Sequence, residues 1–307
     1  MRVVSTSCLP IDLGAQLAPV GATADVPATW VGVDAVALEH ADALVCLLLD
    51  RIDAAALARA PTLRVIANCA VGVDNIDLAA ATRAGVPVTN TPDVLTEATA
   101  ELAIALMFAA ARRLPEADDL VRGGRWEGWR LDQLLGVQLA GKLLAVIGPG
   151  RIGRATAVRA RALGMRVLEV GVGDDVGAAL AAADVVSLHC PLTPATRGLI
   201  GAAALARMKS TAIVINTARG ACVDTGALVD ALDAGRLFAA GLDVFPDEPR
   251  IDPRLVACRR AVLAPHIGSA TTETRTRMAQ LCADAVIAVL TGRRPGNVVN
   301  PEVYARG

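Results

Sequence analysis

Short aliphatic runs alternate with Ala-rich stretches of helical spacing along almost the whole chain. Ala43–Leu49, Arg64–Asn68, Lys142–Gly148, Met165–Val170, Asp184–His189, Thr211–Asn216 and Ala261–Pro265 have the length and the Val, Ile and Leu content of strands. Between them Leu78–Ala84, Arg151–Leu163, Thr225–Ala234 and Thr272–Leu290 read as helices. Alternation of this kind predicts parallel sheets made of crossover units. The fold class is therefore α/β, with doubly wound, Rossmann-like sheets.

Two long helices set the domain plan. One runs from about Thr96 to Leu114 and is predicted to end at Pro115; its apolar positions lie all round it, as in a buried helix. It is read as the passage from a first domain into a second. The other, Thr272–Leu290, follows the last strand and is read as the return. The expected domains are 1–95 joined with 271–307, and 96–270, the first discontinuous. No internal repeat or low-complexity linker interrupts them.

Composition narrows this picture. With 307 residues the chain can form two domains, and with 54% apolar but only 2% aromatic residues its cores must be aliphatic. Thirty basic residues against 31 acidic ones leave a formal charge of -1, which offers no electrostatic footprint for nucleic acid or an anionic membrane. Seven scattered cysteines form no CxxC pair and read as free thiols of a reducing compartment. There is no secretion-type N-terminus and no apolar run of membrane-spanning length. The expectation is a cytoplasmic protein.

Gly148-Pro149-Gly150-Arg151-Ile152-Gly153 fits G-x-G-x-x-G, directly after a predicted strand and at the start of a predicted helix. In that context the glycines allow a tight turn, backbone approach to a pyrophosphate and close helix–sheet packing. The helix N-terminus adds unpaired N–H groups. Glycine-rich turns also occur for structural reasons alone, but this setting predicts a dinucleotide, NAD or NADP. The acid that binds a ribose 2′-OH should follow the next strand, about 20 residues on. Gly171 stands there instead, with Asp174 and Asp175 displaced and no Arg in place for a 2′-phosphate.

Arg219 and His266 each follow a predicted strand, and Glu248 lies in Gly241-Leu242-Asp243-Val244-Phe245-Pro246-Asp247-Glu248-Pro249, where a strand should end. Singly, each has an ordinary structural reading: a solvated arginine, a loop carboxylate, a hydrogen-bonded histidine. Behind a dinucleotide motif they support one another, because open α/β sheets bind ligands outside the carboxyl ends of their strands. Hydride transfer to a 2-oxo acid needs a proton donor and a grip on the carboxylate. A carboxylate beside a histidine favours its imidazolium form. His40, in a helical stretch, and His189, at a strand end, read as structural. No cluster with metal-ligand spacing is present, so no metal is expected.

Several motifs in order resemble the D-2-hydroxyacid dehydrogenase family: Val71-Gly72-Val73-Asp74-Asn75-Ile76-Asp77, Thr89-Asn90-Thr91-Pro92, the Gly148 turn, His189-Cys190-Pro191-Leu192, Asn216-Thr217-Ala218-Arg219-Gly220, Leu242-Asp243-Val244-Phe245 and Pro265-His266-Ile267-Gly268. Among its members the glyoxylate and hydroxypyruvate reductases are most similar. The resemblance implies that Arg219 holds the substrate carboxylate, assisted by the backbone N–H groups of Val71, Gly72 and Val73. His266 would be the acid and base, Glu248 its partner, and Asp243 a contact of the nicotinamide amide. Gly148, Gly150, Arg151, Ile152, Gly153, Cys190, Pro191, Thr217, Ala218 and Gly268 would complete the cofactor site. It also implies a homodimer and a small 2-oxo or 2-hydroxy acid as substrate.

Other readings share the scaffold: a protein that binds the nicotinamide cofactor as a signal, and a dehydrogenase of phosphite or formate. The chain departs from the family between Met165 and Asp184, where relatives usually carry a further strand and turn. The expected result is weak discrimination between NADH and NADPH.

Overall fold

A computed structural model describes residues 1–306. The chain forms two compact units, Met1–Leu95 with Ala270–Gly307, and Thr96–Ser269. Each is built on one parallel sheet, as the alternating pattern predicts. No described helix is long and apolar enough to cross a membrane.

The first unit holds β1 (Arg2–Ser5), β2 (Thr23–Asp25), β3 (Ala43–Cys46), β4 (Val65–Asn68) and β5 (Val88–Thr89), in the order β2-β1-β3-β4-β5. Side chains alternate across the sheet. Val3, Val45, Val65 and Ala67 pack with Cys282, Ala283, Val286 and Leu290 of the C-terminal helix Thr272–Leu290. Val4, Leu44, Cys46 and Ile66 face the other way, onto the short helices Ala54–Ala58 and Leu78–Arg83. Aspartates cap both short helices: Asp53 accepts from Ala55 and Ala56 N–H, and Asp77 from Ala80 N–H.

The second unit holds β6 (Leu143–Ile147), β7 (Arg166–Val170), β8 (Val185–Leu188), β9 (Ile213–Asn216), β10 (Ala239–Leu242) and β11 (Ala261–Leu263), in the order β11-β10-β9-β8-β6-β7. Leu144, Val146, Val185, Ile213 and Ile215 pack under the helices Thr96–Ala111 and Arg151–Ala162. Ala145, Ile147, Val186, Leu188 and Val214 pack under Val176–Ala182 and Thr225–Asp233. The register pairs Ile147 with Val170 and Leu188, Leu188 with Asn216, and Asn216 with Leu242. Gly148, Gly171, His189, Thr217 and Asp243 therefore come next along one carboxyl edge.

The structure corrects several expectations. β1, β2, β5 and β10 lie outside the strands read from the pattern. Ala239-Ala240-Gly241-Leu242 is poor in β-branched residues, and space is short at Gly241. A Cβ on Gly241 would come 2.9 Å from Ile215 Cδ1 and 3.0 Å from Leu106 Cβ, so small residues let the long helix approach. That helix ends at Ala111 rather than Leu114, broken at Arg113, whose φ is 53°. Pro115 then serves at the first turn of a second helix, Leu114–Arg122, where a missing N–H costs nothing. His40 sits in an exposed turn, not a helix.

His189, just past β8, is buried, with Nε2 2.8 Å from the Ser187 hydroxyl and Nδ1 without a partner. Burial pushes its pKa down from 6.5 to about 4. The unfolded chain therefore takes up a proton here that the native state refuses between those two pH values. His189 costs nothing above about pH 6.5, and its contribution grows more unfavourable as pH falls toward 4, by about 3 kcal/mol at 1.36 kcal/mol per decade. Urea unfolding of wild type and His189→Gln at pH 7 and pH 4 measures this. The wild type should lose about 3 kcal/mol more than the variant; equal losses would show that the buried imidazole titrates normally.

Candidate active site

The glycine turn leaves β6 through Gly148 at φ 88°, a backbone state that L side chains rarely adopt. A Cβ there would lie 2.7 Å from Cys190 N, so the turn is pressed against the end of β8. Gly153 is equally constrained, its Cβ position 2.4 Å from Gly148 O, which seats the helix Arg151–Ala162 on the strand. Gly150, the helix N-cap, faces open space. These are three different needs, matching turn, packing and ligand approach. Arg151 and Ile152 open the helix, so its first N–H groups face the same space.

Along the same edge Cys190 and Pro191 follow β8, and Thr217 and Ala218 follow β9. The Thr217 hydroxyl is buried without a hydrogen-bond partner, a polar atom suited to a ligand beside it. Asn216 folds the following turn, its amide donating to Arg219 O at 2.9 Å and its Oδ1 accepting from Ala218 N–H at 3.0 Å. Arg219 Nη1 donates to Ala218 O at 2.8 Å. Gly220 is obligatory, since a Cβ would fall 2.0 Å from the Phe245 carbonyl carbon.

Asp243 follows β10 and is 1% exposed. Its two oxygens accept from Ile267 N–H at 2.7 Å and Gly268 N–H at 2.8 Å. Burial pushes its carboxyl above the usual range, against the lowering effect of those N–H groups. Thr99 Oγ1 donates to Gly268 O at 3.1 Å, which ties the turn a second time. Thus held, His266 adopts φ 54°, a left-handed state that costs a non-glycine residue about 1–3 kcal/mol.

His266 Nδ1 lies 2.7 Å from Glu248 Oε2, and Glu248 Oε1 accepts from Phe245 N–H at 2.8 Å. Burial raises the Glu248 carboxyl, but the bonds from His266 and Phe245 and the charge of Arg219 outweigh it, and its pKa falls below the ordinary value. The group stays an anion near neutral pH. With Nδ1 bound to it, the imidazole turns Nε2 outward. Arg219, Glu248 and His266 are thus neighbours in one unit, as their strand-end positions predict.

Val71, Gly72 and Val73 belong to the other unit, in a turn after β4. Asn75 and Asn90, which hydrogen-bond in and around that turn, lie in two of the motifs that carry the resemblance but received no role there, while Asn68 and Thr99 escaped the sequence reading. The available signal was an asparagine closing the aliphatic run Val65-Ile66-Ala67-Asn68. Among the described residues no group of three or more His, Cys, Asp or Glu could hold a metal.

Residues 104–268 match the family described as D-isomer specific 2-hydroxyacid dehydrogenase, NAD binding domain. The chain belongs to that family. It is 50% identical to the glyoxylate reductase of Aeropyrum pernix over 283 residues, 86% of this chain and 84% of that one. The crystal structure of the TT0316 protein from Thermus thermophilus superposes with a TM-score of 0.93 at 46% identity, covering 97% of this chain and 100% of that one. The NADPH-dependent glyoxylate/hydroxypyruvate reductase of Sinorhizobium meliloti, solved with NADP and malonate, gives 0.86 at 29% identity over 98% and 97% of the two chains. This chain is an NAD(P)-dependent oxidoreductase with the two-domain Rossmann-like fold of its family.

Proposed function

We propose that the protein reduces a small 2-oxo acid, glyoxylate or hydroxypyruvate, to the D-2-hydroxy acid. The observation that carries this reading is the 2.7 Å contact between His266 and an ionised Glu248, beside Arg219 at the carboxyl edge of the nucleotide-binding sheet. The glyoxylate reductase relatives support the substrate class. When bound, the nicotinamide supplies the hydride. Gly148, Gly150, Gly153 and the N–H groups at Arg151 and Ile152 would hold the pyrophosphate. Cys190, Pro191, Thr217, Ala218 and Gly268 would line the cofactor, and Asp243 would contact the nicotinamide amide.

Arg219 grips the substrate carboxylate in two-point fashion, which fixes the carbonyl face presented to the cofactor. Charge develops on the carbonyl oxygen in reduction, and His266 Nε2 delivers the proton to it. Glu248 holds Nδ1–H, keeps the ring oriented and balances the imidazolium. The first domain, 1–95 with 271–307, is the substrate domain and presents the N–H groups of Val71, Gly72 and Val73 to an anion; 96–270 is the dinucleotide domain. The working enzyme is a cytoplasmic homodimer joined through the cofactor domain. All seven cysteines are unpaired, and Trp126, Trp129, Leu131 and Leu135 expose apolar surface on one segment of that domain.

Steady-state kinetics with glyoxylate tests the chemistry. His266→Ala should lower kcat by roughly 10²–10⁴ with NADH binding nearly intact. Arg219→Lys, which keeps charge but loses the planar fork, should lower kcat/KM severely. Variants within a few-fold of wild type would reject these roles.

Cofactor choice follows from the end of β7. Asp174 folds back so that Oδ2 accepts from Gly171 N–H at 2.7 Å, beside Pro149 of the glycine turn. A carboxylate therefore stands near the ribose position, but on an exposed turn, whereas Asp175 is committed to capping Ala178 N–H. NADH should be favoured over NADPH, by no more than about 100-fold in kcat/KM or about 2.7 kcal/mol. Asp174→Ala should bring the ratio toward one; a wild-type preference beyond roughly 10⁴-fold would contradict this account.

Sedimentation equilibrium should give twice the 31.5 kDa chain mass, with Trp129→Ser and Leu131→Ser shifting the protein toward monomer. A monomeric wild type at micromolar concentration would exclude the dimer.

A further inference from the structure

The turn Ala70–Val73 is fixed by its carbonyl oxygens. Ala70 O accepts from Thr91 N–H at 3.0 Å, and Val73 O from Ile76 N–H at 3.0 Å. The two carbonyls between them are held by side chains: Asn90 Nδ2 donates to Val71 O at 2.8 Å, and Asn68 Nδ2 to Gly72 O at 2.8 Å. In a planar trans peptide the C=O of one residue and the N–H of the next point in opposite directions. Fixing the carbonyls of Ala70, Val71 and Gly72 therefore fixes the directions of the N–H groups of Val71, Gly72 and Val73. Each of the three peptide planes has its own anchor.

The anchors are themselves held. Asn68, 0% exposed, ends β4, and its Oδ1 faces Asn75 Nδ2 at 3.4 Å, which selects the rotamer that presents Nδ2 to Gly72. Asn75 Nδ2 also donates to Leu47 O at 3.1 Å and Asp50 O at 3.0 Å. Buried Asp50 closes the web, accepting from Leu47 N–H at 2.7 Å, from the Thr6 hydroxyl and from Trp30 Nε1. Asn90 is tied through its backbone, its N–H donating to Asn297 O and its carbonyl accepting from the Asn297 amide.

We infer that Asn68 and Asn90 are positioning residues for substrate: by holding the Gly72 and Val71 carbonyls they aim the N–H groups of Val73 and Gly72 at the carboxylate of the 2-oxo acid. This rests on the function proposed above. Successive N–H groups turned to one side attract an anion without a full charge, and their effect depends on direction. Neither asparagine touches the substrate; each acts through a peptide plane.

Asn90→Leu and Asn68→Leu remove the donor with little change in size and no added charge. In each, KM for glyoxylate should rise about tenfold or more, with kcat within a few-fold, the signature of lost carboxylate binding. The Kd for oxalate, measured by calorimetry on the NAD-loaded enzyme, should rise by the same factor. The Kd for NADH, from nucleotide fluorescence, should not move, whereas a purely structural role, by lowering the fraction of active enzyme, would lower kcat and leave KM and the oxalate Kd unchanged. Asn68 is wholly buried; if Asn68→Leu does not fold, the half-buried Asn90 decides. Unchanged KM and oxalate affinity in folded Asn90→Leu, with wild type active on glyoxylate, would overturn the inference alone. A wild type that reduces no 2-oxo acid removes the function on which it rests.

Discussion

The Asp243 carboxylate is the fixed point of the second domain's chemistry. One buried carboxylate at the end of β10 takes the N–H groups of Ile267 and Gly268, and the backbone that reaches them places His266 in a left-handed conformation. The imidazole then meets Glu248, whose other oxygen is held by Phe245 N–H. The orientation of the His266 ring is thus set by backbone bonds around two carboxylates. The conformational cost at His266 is small beside the several charge-assisted bonds that impose it.

The two domains solve the same problem with different kinds of polar group. The second domain uses charges at the ends of strands, and a parallel sheet with aligned register gathers them along one edge. The first uses amides: Asn68, Asn75 and Asn90 take up carbonyl oxygens in and around one turn. An amide can both donate and accept, so these side chains satisfy the carbonyls of the turn and one another. The buried carboxylate that closes the web, Asp50, is satisfied by neutral donors, Leu47 N–H, the Thr6 hydroxyl and Trp30 Nε1.

Much of this was legible in the chain. The parallel α/β class follows from aliphatic runs alternating with helical stretches, and the grouping of Arg219, Glu248 and His266 follows from their strand-end positions. What was not legible has physical causes. β10 is made largely of alanine and glycine, with Leu106 and Ile215 leaving no room for a side chain at Gly241, so its composition resembles a helix. Pro115 reads as a stop, yet a proline fits the first turn of a helix equally well, and only the positive φ of Arg113 settles where the break falls. The role of the asparagines was not legible because amides carry no periodicity, and most of their partners are backbone carbonyls from other stretches of the chain.

The discontinuous first domain has a consequence for synthesis. Its strands leave the ribosome first, but the face formed by Val3, Val45, Val65 and Ala67 is covered by Cys282, Ala283, Val286 and Leu290. Between them the whole of Thr96–Ser269 must be translated, which takes on the order of ten to thirty seconds at common elongation rates. Throughout that interval an apolar sheet face waits for its cover. The nascent chain exposes that face until the last helix emerges, while the inserted domain, continuous in sequence, holds all of its own core before that helix is made.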